Sequence, residues 1–181
     1  MNIHVSDKFM VKAKKVGSIF MCSLIAFSLF SCSGAASNSP LAQTNKPTNI
    51  DIDVKDLAME IFEVGEYSDE LTPLEDDMFD VVFQTVDITM LTAKSAYAGS
   101  GGSAEQIVVA EAKDEESAKQ VKDALNQKLK DDIDMNEGYL PTEVNKLNNP
   151  VLVQSGKYII LCVSNDNDKI EQVLLKKGIM S

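Results

Sequence analysis

Apolar positions along the chain fall into two regimes. Before residue 51 they are gathered in one run or scattered among small polar residues; beyond it they recur at the spacings of helices and strands. Val54, Leu57, Ala58, Ile61 and Phe62 repeat at helical spacing behind Asp53, a good N-cap residue, and Gly65 marks the stop of this first helix. Residues 66–72 read as an acidic loop. Pro73 precedes a second, short helix over residues 75–84, with Asp76 and Asp77 in its first turn and Met78, Phe79, Val81 and Val82 on its inner side. Residues 88–98 carry β-branched and aromatic side chains as far as Tyr97 and read as a strand; Gly99-Ser100-Gly101-Gly102-Ser103 then turns the chain. A stronger strand follows over Gln106–Ala112, centred on Ile107-Val108-Val109.

Asp114 caps a long helix expected to reach about Ile133, its inner face carrying Ala118, Val121, Leu125 and Leu129. Residues 142–147 form a short helix after Pro141, ended by Asn149-Pro150. Val151-Leu152-Val153 opens a hairpin that turns at Ser155-Gly156 and returns over residues 158–164. Asp166 caps the last helix, with Ile170, Val173 and Leu174 inward, Lys176 and Lys177 in its final turn and Gly178 behind them. The order is ααββα(α)ββα. It predicts an α+β fold over residues 51–178: a single domain whose two hairpins make an antiparallel four-stranded sheet with helices packed on one face. Residues 179–181 are a tail.

The apolar run upstream has a different character. Lys8, Lys12, Lys14 and Lys15 precede an uncharged stretch over residues 16–30. As helix it rises about 22 Å, short of a hydrocarbon core of about 30 Å, so it fits the apolar region of a signal peptide and not a membrane span. Leu29-Phe30-Ser31-Cys32 closes it with a branched apolar residue three before a cysteine and a small residue just before it, the order of a lipoprotein processing site, although Phe30 is larger than usual. Cys22 does not fit, because Met21 precedes it and the apolar run is unfinished. Ordinary signal cleavage after Ala36 is the alternative, and Met10 opens a more typical signal than Met1. The expectation is removal of residues 1–31, lipidation of Cys32 with acyl chains such as palmitate, and a location on the extracytoplasmic face of the cell membrane. Each buried methylene contributes about 0.8 kcal/mol, and two chains anchor stably where one does not. Residues 32–50, polar and interrupted by Pro40 and Pro47, read as a flexible linker of about 25 Å root-mean-square span.

Charge narrows the function. The chain has 17 Lys plus Arg against 28 Asp plus Glu; residues 1–31 hold four lysines and one aspartate, which leaves 13 against 27 and a net −14. Such a surface repels nucleic acid and anionic headgroups. Every basic residue is lysine, so no guanidinium fork is available for bidentate grip on phosphate or carboxylate. The only histidine, His4, lies in the signal, which leaves no Ser-His or Cys-His pair and no histidine zinc site. Tryptophan is absent, which weakens a case for carbohydrate stacking. Cys162 remains alone within Ile159-Ile160-Leu161-Cys162-Val163 and is expected to be a buried, inert thiol.

Ala98-Gly99-Ser100-Gly101-Gly102-Ser103-Ala104-Glu105, then Ile107-Val108, Tyr139-Leu140-Pro141 and Gly156-Lys157-Tyr158, resemble in order and spacing a family of small Gram-positive lipoproteins carrying a domain of unknown function of the 4358 type. Gln106 stands where a more acidic or apolar residue is expected, and Lys157 where asparagine is commoner. The resemblance covers roughly residues 51–178 and agrees with the motif at Cys32. It implies an exported, lipid-anchored α+β domain without assigned activity, and it supplies no catalytic residues.

Candidate chemistry is sparse. The glycine-rich loop leads into a strand and lacks the lysine of a phosphate cradle, so it reads as a hairpin connection. Asp132, Asp134 and Asn136 stand at positions one, three and five of a calcium-type loop with Glu143 at twelve, but position six is Glu137 where glycine is required, Gly138 comes one residue late, and Pro141 is awkward. An acidic helix end is the simpler reading. Asn165-Asp166-Asn167-Asp168 could hold a cation, yet helix capping accounts for it. Tyr139 and Tyr158 are candidates to line a groove, against the commoner role of core packing. No cofactor is expected, with Ca2+ as the alternative; partners are the membrane, through the lipid on Cys32, and an envelope protein or wall component, not nucleic acid. The leading expectation is a non-enzymatic binding or accessory domain, and the rival is a carboxylate-based hydrolase of wall or extracellular polymer. An enzyme should show a deep pocket with converging carboxylates, one desolvated; a binding module should show an open apolar or tyrosine-lined patch.

Overall fold

The structure is a computed structural model that describes residues 51–181; the signal at 1–31, Cys32 and the linker at 32–50 lie outside the described residues. Asp53 caps α1 (Val54–Val64) by accepting from the amides of Lys55 and Asp56. Then come β1 (Thr72–Pro73), α2 (Asp76–Val82), a 3-10 turn at Ile88–Met90, β2 (Leu91–Ala98), β3 (Gln106–Ala112), α3 (Glu115–Tyr139), α4 (Val144–Leu147), β4 (Val151–Ser155), β5 (Tyr158–Val163) and α5 (Asp168–Lys176). Among the described residues, no helix is long and apolar enough to cross a membrane.

The strands form one antiparallel sheet in the order β1-β2-β3-β5-β4. The two expected hairpins are present and meet through β3 and β5, with Val108 opposite Leu161 and Val109 opposite Ile160. The four-stranded expectation is corrected by β1, which lay within and beside the predicted acidic loop. It pairs Thr72 with Ala98 and Pro73 with Tyr97, and the Leu74 amide donates to the Ala96 carbonyl at 2.9 Å. A two-residue strand leaves no periodicity to read, and its proline is tolerated because it sits at the sheet edge.

Helices cover both faces of the sheet, which corrects the one-face expectation. On one side α1 and α5 bury Leu57, Ala58, Ile61, Ile170 and Leu174 against Ile107, Val109, Ile160 and Cys162. On the other, α2, α3 and α4 bury Phe79, Phe83, Val121, Leu125 and Leu147 against Val108, Ala110, Ile159 and Leu161. The cause is legible in the central strands: all six residues of β5 are buried. Strands buried on both faces read as unbroken apolar runs, whereas a half-exposed sheet alternates.

Two helices differ from expectation. In α2 the inner residue is Phe79, its ring 4.9 Å from that of the C-cap Phe83, while Met78 and Val81 are 44% and 64% exposed. Large aromatic rings took the core positions, and Lys94 lies over Phe79 while pairing with Asp76 at 2.8 Å. Helix α3 starts where predicted, with Asp114 accepting from the Ser117 amide at 2.7 Å, but continues past Ile133 to Tyr139. Gly138 costs about 1 kcal/mol inside a helix without ending it, whereas Pro141 forces Leu140 out of the helical region (φ −133°, ψ 69°). The β4–β5 turn is Gly156-Lys157, with Gly156 at φ +56°, one residue later than predicted. Helix α5 begins at Asp168, whose amide donates to Asp166 at 3.0 Å.

Candidate functional site

The connection between β2 and β3 is held open by carboxylates. Asp69 accepts from the Ser100 amide at 2.9 Å and from its hydroxyl, and these donors hold the Asp69 carboxyl below its usual range. A Cβ on Gly99 would lie 2.6 Å from that carboxylate, so a side chain there would make the Asp69 carboxylate shift. Gly101, at φ +95°, makes the turn.

Glu105 ends this connection and is the most enclosed charge among the described residues, its side chain 0% exposed. Its two oxygens accept from the Ser68 amide at 2.8 Å, the Asp69 amide at 2.9 Å, the Ser103 hydroxyl at 3.2 Å and the Lys146 ammonium at 2.8 Å. Burial pushes its carboxyl up, but the Lys146 ammonium and the Asp69 and Ser68 amides outweigh it and hold it below its ordinary value. Lys146 also contacts Glu143 at 3.1 Å, and Glu143 accepts from the Ala104 amide at 3.0 Å. One ammonium between two carboxylates thus ties the residue 66–70 loop, the start of β3 and α4 together. Burial disfavours the Lys146 charge, and the two carboxylates raise its pKa above the ordinary value all the same.

Beside this cluster lies an open cleft of about 300 Å3 between the end of α2, the 98–106 connection and the last turns of α3. Val82, Met135, Tyr139 and Leu140 form its apolar walls. Its floor is polar and already paired: Asp132 accepts from Lys128 at 2.6 Å and from Gln106 at 3.1 Å. Tyr139 is 77% exposed and Met135 71%, spaced one helical turn apart on α3. Of the two tyrosines expected at a groove, Tyr139 is there; Tyr158 is buried in the core, where its hydroxyl accepts from the Ile52 amide at 3.3 Å.

The calcium-loop residues are not brought together as a loop. Asp132, Asp134 and Asn136 are in α3, where residues two apart point about 200° away from each other. Asp132 is held by Lys128 and Gln106, Asn136 donates to the Asp132 carbonyl at 2.7 Å, and Glu143 is held by Lys146 and Ala104. Among the described residues, no group of three or more His, Cys, Asp or Glu side chains is placed to hold a metal ion. The Asn165–Asp168 run is spent on loop contacts: Asn165 donates to Ser68, Asn167 to the Asn149 carbonyl, and Asp166 accepts from Asp168. Cys32 lies outside the described residues.

Cys162 is fully buried, and burial pushes its thiol up to about 12. The Tyr67 hydroxyl sits 3.6 Å from its sulfur and donates to the Ile61 carbonyl. Burial raises the Tyr67 phenol as well. A Cβ on Gly65 would lie 2.2 Å from the Tyr67 hydroxyl, so Gly65 does more than stop α1: it makes room for this ring.

Sequence reading missed the Glu105–Lys146–Glu143 cluster. The available signals were a glutamate flush against the start of an apolar strand and the i,i+3 spacing of Glu143 and Lys146. Chemically, the two carboxylates lining the cleft have their oxygens occupied by donors, and that leaves apolar and aromatic contact as what the cleft offers. No curated protein matches the chain, and no solved structure does. The sequence profile of the domain of unknown function DUF4358 matches residues 64–164, a span that contains all five strands, and the chain belongs to that family.

Proposed function

We propose that this chain is a lipid-anchored, extracytoplasmic binding domain that catalyses no reaction, tethered through Cys32 and presenting the α3 cleft to an envelope protein or wall component. The observation that carries the reading is the pairing of an open, tyrosine-lined cleft with carboxylates that are already spent. Tyr139 and Met135 stand exposed on one face, whereas Glu105 and Asp132 are each bound to a lysine. A hydrolase needs a carboxyl kept protonated near neutrality or one free to activate water. Glu105 is instead driven below its ordinary value with both oxygens occupied. The anchor rests on the order Leu29-Phe30-Ser31-Cys32 behind an uncharged run and a lysine cluster.

The test places a photo-crosslinking amino acid at position 139, or at the remote exposed position 116, in the full chain produced in its native cells. A discrete adduct from 139 and none from 116 is expected. Cys32→Ser should release the protein from the membrane fraction and abolish the adduct. Absence of any adduct from 139 refutes the binding surface; membrane association and mature mass unchanged in Cys32→Ser refute the anchor. Cleavage of wall polymer by the purified chain, lost in Glu105→Gln, refutes the non-enzymatic reading.

A further inference from the structure

The C-terminal end of α3 is charged the wrong way round. A helix C-terminus carries a partial negative charge and is stabilised by cations in its last turn. Here the last turn holds no basic residue. The final twelve residues of α3, 128–139, contain Asp131, Asp132, Asp134 and Glu137 against Lys128 and Lys130. Lys128 is consumed by Asp132 in the cleft floor, and Asp131, Asp134 and Glu137 make no ion pair among the described residues. The neighbouring loop adds to the excess: Glu105 and Glu143 share the single ammonium of Lys146, and Asp69 is held by neutral donors alone. Of the unpaired α3 carboxylates, Asp131 stands one turn before Met135 at the rim of the cleft, whereas Asp134 and Glu137 turn to the far side of α3; Tyr139 presents its ring to solvent beside the apolar walls.

From this juxtaposition we infer that the α3 cleft docks a cationic peptide segment of a partner protein, in which lysine or arginine side chains flank an apolar one. The inference rests on the binding-domain reading and gives its site a ligand chemistry. The apolar side chain enters between Val82 and Met135; a flanking cation lies against Tyr139 and the carbonyl end of α3, where ring quadrupole and helix end both attract it. Charge selects this occupant over the others. A second copy of the chain brings the same negative surface, and an anionic polymer is repelled by a net −14 over residues 32–181. A bare metal ion needs converging ligands, and α3 splays its carboxylates apart.

The experiment uses the full chain in nanodiscs of zwitterionic lipid, with empty discs as background, and a dye-labelled hexapeptide of alternating lysine and leucine read by fluorescence polarisation. The peptide is expected to bind the chain above the empty discs, and affinity is expected to fall about tenfold or more between about 0.05 M and about 0.5 M salt. Tyr139→Ser should weaken binding by about fivefold to tenfold and Asp131→Asn at the rim by about threefold, whereas Asp134→Asn, on the far side of α3, should leave it nearly unchanged. These side chains are exposed, so unchanged circular dichroism separates loss of binding from loss of fold. Glu116→Gln, about 34 Å away along the same helix, should leave affinity unchanged. Comparable binding of a glutamate–leucine or lysine–glycine hexapeptide overturns the inference, as does equal weakening by Glu116→Gln, which marks diffuse attraction. Self-association of the chain that Tyr139→Ser abolishes reassigns the cleft to a second copy and also overturns it. A crosslink from position 139 in cells without peptide binding removes the cationic chemistry and leaves the binding-domain reading standing; absence of both removes both.

Discussion

Replacing Glu105 by glutamine keeps the side-chain shape and removes one charge, so it isolates what the buried carboxylate contributes. The carboxylate receives the Ser68 and Asp69 amides, the Ser103 hydroxyl and the Lys146 ammonium, and its side chain is 0% exposed. In Glu105→Gln one oxygen becomes a donor facing other donors. If the remaining oxygen stays with the two amides, the new amide group meets Lys146 head-on. A hydrogen bond to a charged group is worth about 1.5–3 kcal/mol, and breaking a buried pair costs about 3–5 kcal/mol. Lys146 keeps Glu143 at 3.1 Å and is 14% exposed, which places the cost at the lower end, about 3 kcal/mol. With a urea slope of about 1.5–2 kcal/mol/M, the midpoint should fall by about 1.5–2 M, read by far-ultraviolet circular dichroism.

The same substitution carries a pH signature. The Glu105 carboxyl has an ordinary value of 4.5 and lies lower in the folded state. A depressed carboxyl contributes stability that is fully present above the unfolded value and is lost as pH falls through the folded one. The gap between the natural chain and Glu105→Gln should therefore be flat from about pH 7 to about pH 5 and close below the ordinary carboxyl value. A gap under about 1 kcal/mol at neutral pH, or one that widens on acidification, refutes the assignment of Glu105 as a charged tie between the loop, β3 and α4.

Gly65→Ala should cost about 2 kcal/mol, because a Cβ would lie 2.2 Å from the Tyr67 hydroxyl and displace a ring that donates to the Ile61 carbonyl and stacks on Phe62. In a Tyr67→Ala background the same change should cost far less by urea denaturation; full additivity of the two would show that the ring is not what Gly65 accommodates. Cys162, with its thiol pushed up to about 12, should resist alkylation in the folded chain at about pH 8 and be labelled on unfolding. Mass mapping of the peptide containing residue 162 reads this directly, and rapid labelling under native conditions refutes its burial.

Local signals in the chain translated well where one residue decides one contact. Asp53 and Asp114 are caps because each has a side-chain oxygen within reach of the next amides, and both were readable as such. The bounds of β3, and the inner residues of α3 and α5, follow from spacing alone. What was not readable depends on partners remote in sequence. Helix α2 is too short, at seven residues, for its periodicity to choose between Met78 and Phe79 as the inner position; the sheet made that choice. Likewise Glu105 reaches Lys146 across 41 residues, and no local pattern joins them. The two-face packing, by contrast, was present in the unbroken apolar run over Tyr158–Val163 and is recoverable from the rule that half-exposed strands alternate.

The end of α3 is where secondary structure and chemistry decide each other. Asp132, Asp134 and Asn136 with Glu143 resemble a cation-binding set only if residues 132–138 form a loop that folds its side chains inward. The spacing ends the helix at about Ile133, yet no residue there stops it, and the single Gly138 beyond costs too little to do so when the preceding turns are packed through Leu125 and Leu129. Once the helix continues, the carboxylates splay and no longer converge on a point. The i,i+4 pair Met135 and Tyr139 then comes onto one face, above a floor already neutralised by Lys128. Asp134 and Glu137 turn to the opposite side of α3, and the face over the cleft keeps Met135, Tyr139 and the lysine-bound Asp132. One backbone decision thus takes away a convergent ligand set and creates an apolar, tyrosine-bearing face, with no change in the residues themselves.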